Sequence, residues 1–307
     1  MRQRRRIGVY GICHDGSGRV LLARASSHSG RAGKWQVPGG GVDHGEDPLD
    51  ALGREFAEET GLTVRPVRLV GVRFELVAEP WRDELIHHDR IVFEVEVTGG
   101  TLRPEADGSS DAVDWFGPEE LPHLSIMRWS ARLLGLVEDD PAWAEADRAA
   151  VAASTPVPPA PDTARFQRFS AYGLVTDPAG RLLLTRIADG YPGAGTWHLP
   201  GGGTDFGESA AEGLLRELRE ETGQVGAVGE LLSVAHLHSP SAYGPERRSL
   251  DWHTVRSIFR VAVAEPTEPV VHEANGSTDA VAWFTPGEVW RLNLNRLART
   301  VISDYGQ

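Results

Sequence analysis

The chain has 307 residues, which at roughly 150 residues per domain accommodates two domains. Apolar residues make up 40% and charged residues 24%, and no apolar run approaches the roughly 18 to 20 residues of a membrane span, which argues against a membrane protein. Acids outnumber Lys and Arg 44 to 31 for a formal charge of −13, which argues against a nucleic-acid surface, since gripping phosphates needs clustered bases.

The N-terminal run Met1-Arg2-Gln3-Arg4-Arg5-Arg6 is the only basic cluster and reads as a disordered tail without a role. It leads into a strand-like stretch instead of a signal-peptide apolar region, so a cytoplasmic location is expected. The single cysteine, Cys13, lies in an alternating apolar stretch and is expected to be a buried structural thiol. Asp15-Gly16-Ser17-Gly18 supplies a hairpin turn and Val20-Leu21-Leu22 the buried strand that follows. Trp35 is assigned to the core ahead of Pro38-Gly39-Gly40-Gly41. A helix then opens at Gly45-Glu46-Asp47-Pro48, with Asp47 as cap, Pro48 in the first turn and Gly61 as terminator. Leu49, Leu52 and Phe56 recur at helical spacing and are expected to face the core. Several strands and a terminal helix complete the unit.

A shift of 162 residues then repeats the pattern. Tyr10-Gly11 falls on Tyr172-Gly173, and Trp35 with Pro38-Gly39-Gly40-Gly41 falls on Trp197 with Pro200-Gly201-Gly202-Gly203. With a slightly larger shift, Asp111-Ala112-Val113 and Trp115-Phe116 match Asp279-Ala280-Val281 and Trp283-Phe284. The second helix carries Ser209 and Glu212 as a capping box, Ala211, Leu214, Leu215 and Leu218 toward the core, and Gly223 at its end. Between the copies, Pro141 to Ser154 is alanine-rich and helix-compatible, and Thr155-Pro156-Val157-Pro158-Pro159-Ala160-Pro161 must be extended. The organisation expected is a domain at 1–137, a linker at 138–165 and a domain at 166–307.

On the face of each helix away from the core, Glu55, Glu58 and Glu59, and again Glu217, Glu220 and Glu221, lie three and four residues apart, so their carboxylates converge. Like charges at that spacing repel, and a divalent cation is the natural partner. Oxygen ligands suit Mg²⁺ or Mn²⁺, whereas zinc would want Cys or His. The glycine run ahead of the helix lets the backbone approach, so a carbonyl at Gly39 or Gly201 can complete the coordination.

These residues resemble the Nudix box, Gly-x5-Glu-x7-Arg-Glu-apolar-x-Glu-Glu-x-Gly-apolar. Gly40, Glu46, Arg54-Glu55-Phe56, Glu58-Glu59 and Gly61-Leu62 fill every fixed position. Gly202, Glu208, Arg216-Glu217-Leu218, Glu220-Glu221 and Gly223 fill it again, with Gln224 as the one departure. The resemblance implies an α+β fold, the Nudix fold of a mixed β-sheet sandwiched between α-helices, in two copies. It implies hydrolysis in which glutamates of the box helix hold one to three metal ions and a water attacks phosphorus. By similarity Glu58, Glu59, Glu220 and Glu221 are the main ligands and catalytic groups, assisted by Glu55 and Glu217. Arg54 with Glu46, and Arg216 with Glu208, form a buried-pair framework. Many members place a further acid before a late Trp-bearing strand, as ligand or general base; Glu105 and Glu273 hold that place, with Asp111 and Asp279 as rivals, and in some relatives the box glutamate itself serves.

The expected reaction is Mg²⁺- or Mn²⁺-dependent cleavage of a diphosphate bond in a nucleoside diphosphate linked to another moiety. A nucleotide-sensing binding module and an isomerase on the same scaffold are the alternatives, although no DNA-binding segment is left over and Cys13 sits in the wrong segment for the isomerase. Arg24 and Arg186 follow the second strand, where either can pair with a phosphate oxygen. Trp81, Phe206, Tyr191, Tyr243 and Trp252 are candidate base-stacking rings, with His87, His88 and His253 as polar partners. The partner expected is a small-molecule diphosphate, with neither nucleic acid nor membrane, and the copies can pack as a pseudo-dimer or the chain as a homodimer. Arg90 to Glu94 carries an acid where Arg256 to Arg260 carries a base, so the two pockets are expected to differ.

Overall fold

In the computed structural model, which describes residues 1–106, 108–138, 141–157, 165–243, 249–272 and 276–306, the chain divides into two units, Met1–Pro158 and Pro159–Gln307. The first runs β1 (Arg2–Cys13), β2 (Val20–Ala25), β3 (Trp35–Gln36), β4 (Gly39–Gly41), α1 (Pro48–Thr60), β5 (Leu62–Glu79), β6 (Glu84–Gly100), β7 (Ser110–Phe116), α2 (Arg128–Leu133) and α3 (Pro141–Ala152). The second runs β8 (Arg165–Thr176), β9 (Leu182–Ile187), β10 (Trp197–His198), β11 (Gly201–Gly203), α4 (Ala210–Thr222), β12 (Ala227–Tyr243), β13 (Ser249–Ala262), β14 (Thr278–Phe284), α5 (Pro286–Val289) and α6 (Arg296–Tyr305).

In the first unit a four-stranded sheet has the order β4-β1-β6-β5 and a three-stranded one the order β3-β2-β7. The pairing of β1 with β6 is parallel, while β4 and β5 pair antiparallel, so the sheet is mixed. The second unit repeats the scheme: β8 pairs parallel with β13 and antiparallel with β11, and β12 borders β13. Each turn expected from Asp and Gly forms, with the Asp15 carboxylate accepting from the backbone N–H of Ser17 and Arg19, and that of Asp177 from Ala179 and Arg181.

The arginine run is not a tail. It begins β1, with Arg2 to Arg6 opposite Glu84 to His88, because carboxylates there answer its charge: Arg4 bonds Glu84 at 3.2 Å and Arg5 the buried Asp89 at 2.7 Å. Cys13 is fully buried, and burial pushes its thiol up to about 11, so it is a packing residue with no thiolate to offer. Leu49 departs from expectation at 46% exposure: it is in phase with the buried Phe56, about 20° away round the helix, but lies in the first turn.

The alanine-rich segment is α3, and it is held within the first unit. The guanidinium carbons of Arg128 and Arg132 lie 4.9 and 5.4 Å from the centre of the Trp143 ring. Beyond the helix, Ser154 accepts from the Gln3 side chain at 3.0 Å and the Thr155 backbone bonds Met1 and Gln3. Residues 158–164, most of the proline stretch, lie outside the described residues. No helix among the described residues is long and apolar enough to cross a membrane.

Candidate active site

The glycine strand sets how closely each box helix can approach. Gly39 has φ of 135° and Gly201 of 131°, and a Cβ on either would stand 2.2 Å from a carbonyl oxygen of the neighbouring strand. On the following glycine a Cβ would lie 2.3 Å from the Glu55 carboxylate in the first unit and 2.7 Å from the Glu217 carboxylate in the second. With no side chain in the way, the acids lie directly against the strand.

Helix α1 begins where Asp47 accepts from the Leu49 N–H and ends at Gly61 with φ of 69°; α4 begins with the Ser209–Glu212 capping box and ends at Gly223 with φ of 71°. This fixed phase turns Glu59 inward to 3% exposure, where one oxygen accepts from the Gly39 N–H at 3.0 Å and the other from the Ser110 hydroxyl at 2.9 Å. Glu221 repeats the arrangement between the Gly201 N–H at 2.9 Å and the Thr278 hydroxyl at 2.7 Å. Burial pushes Glu59 up to about 7, helped by the charges of Glu55 and Glu105 and opposed by its two hydrogen bonds. Burial also raises Glu55 and Glu217, against the pull of Arg54 and Arg216. Glu58 and Glu220 stand at the open side, their side chains 49% and 46% exposed.

One arginine organises each set. Arg54 grips both Glu46 oxygens at 2.8 and 2.9 Å, donates to the Gly41 carbonyl at 2.9 Å, and reaches Glu55 at 2.8 Å and Glu58 at 3.3 Å. Arg216 makes the same five contacts with Glu208, Gly203, Glu217 and Glu220, all between 2.9 and 3.1 Å. The framework expected from the box is therefore present, half-buried where full burial was expected. These three carboxylates beside a glycine backbone form a hard-oxygen donor set that fits Mg²⁺ or Mn²⁺, and Glu59 is held by neutral donors alone.

Glu105 accepts from the Ser110 N–H at 3.1 Å and the Ser109 hydroxyl at 3.3 Å, and that hydroxyl is also 3.4 Å from Glu59, so the loop acid adjoins the cluster. Glu273 lies outside the described residues. The rivals Asp111 and Asp279 are occupied by Arg24 at 2.7 Å and Arg186 at 2.8 Å, and each of these arginines also lies near the ring of Trp35 or Trp197. Among the rings, Trp252 stacks on Phe166 at 4.9 Å and Trp81 is 61% exposed, while the side chain of Tyr243 lies outside the described residues. His87, His88 and His253 are packing residues, since β6 and β13 are interior strands and bury them. Gln224 is buried where the box has an apolar residue, and its side chain satisfies itself on Thr267, donating at 2.9 Å and accepting at 3.0 Å.

Two residues escaped the reading of the sequence. The Arg6 guanidinium lies over Gly41, that of Arg168 over Gly203, and their charges act on Glu55 and Glu217 respectively. The 162-residue shift superposes one on the other, a signal hidden by treating the arginine run as a tail. A cavity of about 760 Å³ at the β8–β9 hairpin end, lined by Leu174, Arg260 and Trp290, is remote from the carboxylates, so donor geometry and not cavity size marks the site.

Known proteins share parts of this sequence. An RNA pyrophosphohydrolase of Bartonella tribocorum is 31% identical over 142 residues, covering 40% of this chain and 81% of that protein. A MutT-like protein of Streptomyces ambofaciens is 38% identical over 132 residues, covering 43% and 77%. Among solved structures, the NUDIX domain of Shewanella oneidensis NrtR complexed with ADP ribose matches at 22% identity and a TM-score of 0.37, covering 45% of this chain and 85% of that one. The model of the NUDIX domain matches residues 4–135 and again 167–305, so the chain belongs to the NUDIX family, as a Nudix pyrophosphohydrolase that carries the domain twice.

Proposed function

We propose that both domains hydrolyse a diphosphate bond in a nucleoside diphosphate linked to another moiety, using Mg²⁺ or Mn²⁺. The observation that carries this reading is the twice-built position of a buried glutamate between a glycine N–H and a hydroxyl, Glu59 and Glu221. Glu55, Glu58 and Glu59, and Glu217, Glu220 and Glu221, would hold the ion, with the carbonyls of Gly39 and Gly201. A bound dication supplies water activation and offsets phosphate charge. Arg54 and Arg216 orient the acids, and Arg6 and Arg168 meet phosphate oxygens. Glu105, linked to Glu59 through Ser109, is placed to take the proton of the attacking water, and Glu273 is its candidate counterpart. Arg24 and Arg186 serve the substrate only where a phosphate draws them from their aspartates. A packed thiol without thiolate character favours the hydrolase over an isomerase and suits a cytoplasmic protein.

The test pairs calorimetry of Mn²⁺ uptake with phosphate release over nucleoside di- and triphosphates, ADP-ribose, dinucleotides and nucleotide sugars. Wild type should take up the metal and turn over at least one class, and the double variant Glu58→Gln, Glu220→Gln should lose about 10²-fold or more in rate. A wild-type chain that takes up no Mn²⁺ would end the catalytic reading.

A further inference from the structure

The strands flanking the two boxes share a framework and differ in how its arginine is paired. In the first unit Gly41, Gly8 and Arg90 lie side by side on β4, β1 and β6; in the second Gly203, Ser170 and Arg256 do so on β11, β8 and β13. Arg90 and Arg256 therefore hold one position, two strands or about 10 Å from the third glycine of the box. Arg6 and Arg168, which overlie that glycine, are diagonal to them on the same face.

In the first unit the arginine of this framework is paired with a carboxylate. Arg90 is 1% exposed and bonds Glu75 at 3.1 Å, and Glu75 also holds Arg128 at 3.2 Å. Arg31 is matched by Glu79 at 3.4 Å. In the second unit, Glu75, opposite His88, is replaced by Leu237, opposite Thr254, and that leucine is 44% exposed. Arg256 forms no ion pair among the described residues. Its charge faces the Tyr172 ring at 5.8 Å, as Arg90 faces Tyr10 at 6.0 Å, and its Nε, like the Nε and Nη1 of Arg90, is buried without a hydrogen-bond partner, so the missing carboxylate is what sets it apart. A half-buried guanidinium without a carboxylate favours an anion from the ligand, because desolvated charge is costly until it is paired.

We propose that the second domain selects substrates whose phosphate chain ends in a free, unesterified phosphate, whose additional negative charge Arg256 receives, whereas the first selects diphosphates esterified at both ends. The selection rests on the hydrolase reading. In both domains the oxygen of water bonds to phosphorus, the bridging P–O bond breaks with its electron pair leaving on the departing phosphate, and the water's proton is released. Only the pairing of the arginine beside the reacting diphosphate differs.

The experiment uses the full chain with one domain silenced, Glu58→Gln to read the second and Glu220→Gln to read the first, with ATP and ADP-ribose as substrates sharing a base. The Glu58→Gln chain should favour ATP in kcat/KM by about tenfold or more, and the Glu220→Gln chain should favour ADP-ribose. In the Glu58→Gln chain, Arg256→Gln should cost about tenfold for ATP, chiefly in KM, and leave ADP-ribose within about threefold. Leu237→Glu, which places an acid where the first domain has Glu75, should shift the ratio the same way with Arg256 intact. Equal ratios in the two silenced chains, or an Arg256→Gln loss that is the same for both substrates, overturns the selection. No turnover of any diphosphate by the wild type would instead overturn the hydrolase reading.

Discussion

Arg54 and Arg216 show why a guanidinium, and not merely a positive charge, stands in the box. Each spreads its donors over four partners, two oxygens of one glutamate, a glycine carbonyl and two further glutamates, which a lysine ammonium cannot reach together. Arg54→Lys should therefore destabilise the first domain by about 2 kcal/mol and lower its turnover in the Glu220→Gln chain, as read by denaturant titration and single-substrate kinetics. A second residue makes a pH prediction. His198 is buried beside Arg256, and burial first, then that charge, pushes its imidazole down to about 4. The unfolded imidazole takes a proton below about 6.5 and the folded one does not, so its contribution is whole above 6.5 and is lost as pH falls to about 4. The first domain carries Gln36 at the matching place. His198→Gln should remove about 3 kcal/mol of acid sensitivity across that window, measured as the difference between the two stability curves against pH.

At the level of elements, α3 is joined to the first unit through one indole and one carboxyl. Its inward face offers Trp143 and Asp147, the indole lying against two guanidiniums and the carboxyl raised by partial burial. Trp143→Ala should remove about 1 kcal/mol of anchoring, so deuterium exchange should rise along 144–152 and stay unchanged along 48–60. An unchanged rate at α3 would mean that the strand-like contacts of Thr155 hold it instead. The two box helices were legible to the residue because cap, proline, apolar stripe and terminal glycine are local signals. Their partners were not. Ser110 and Thr278 meet Glu59 and Glu221 across 51 and 57 residues, and Arg6 reaches the box only because β1 pairs with β4, Gly8 opposite Gly41, while it pairs in parallel with β6, registers set by contacts distant in sequence. The same pairing turned the expected tail into a strand, and the interior place of β6 and β13 buries the candidate histidines as packing residues.

On the scale of the whole molecule, duplication gives each domain its own apolar core. Tyr10, Leu22, Val37, Met127 and Trp129 belong to one cluster, and Leu174, Leu184, Leu199, Ile258 and Ile302 to another. Hydrophobic stabilisation follows the area each core buries, so damage to one should stay with its owner. Leu184→Ala, at 0% exposure, should cost the second domain about 2 to 5 kcal/mol through lost transfer energy and an unfilled cavity. Heating that variant should separate an early transition, with loss of the activity read in the Glu58→Gln background, from a later one with the activity read in the Glu220→Gln background. Simultaneous loss of both activities would show that stability is shared, and would require the duplicated domains to be treated as one cooperative unit.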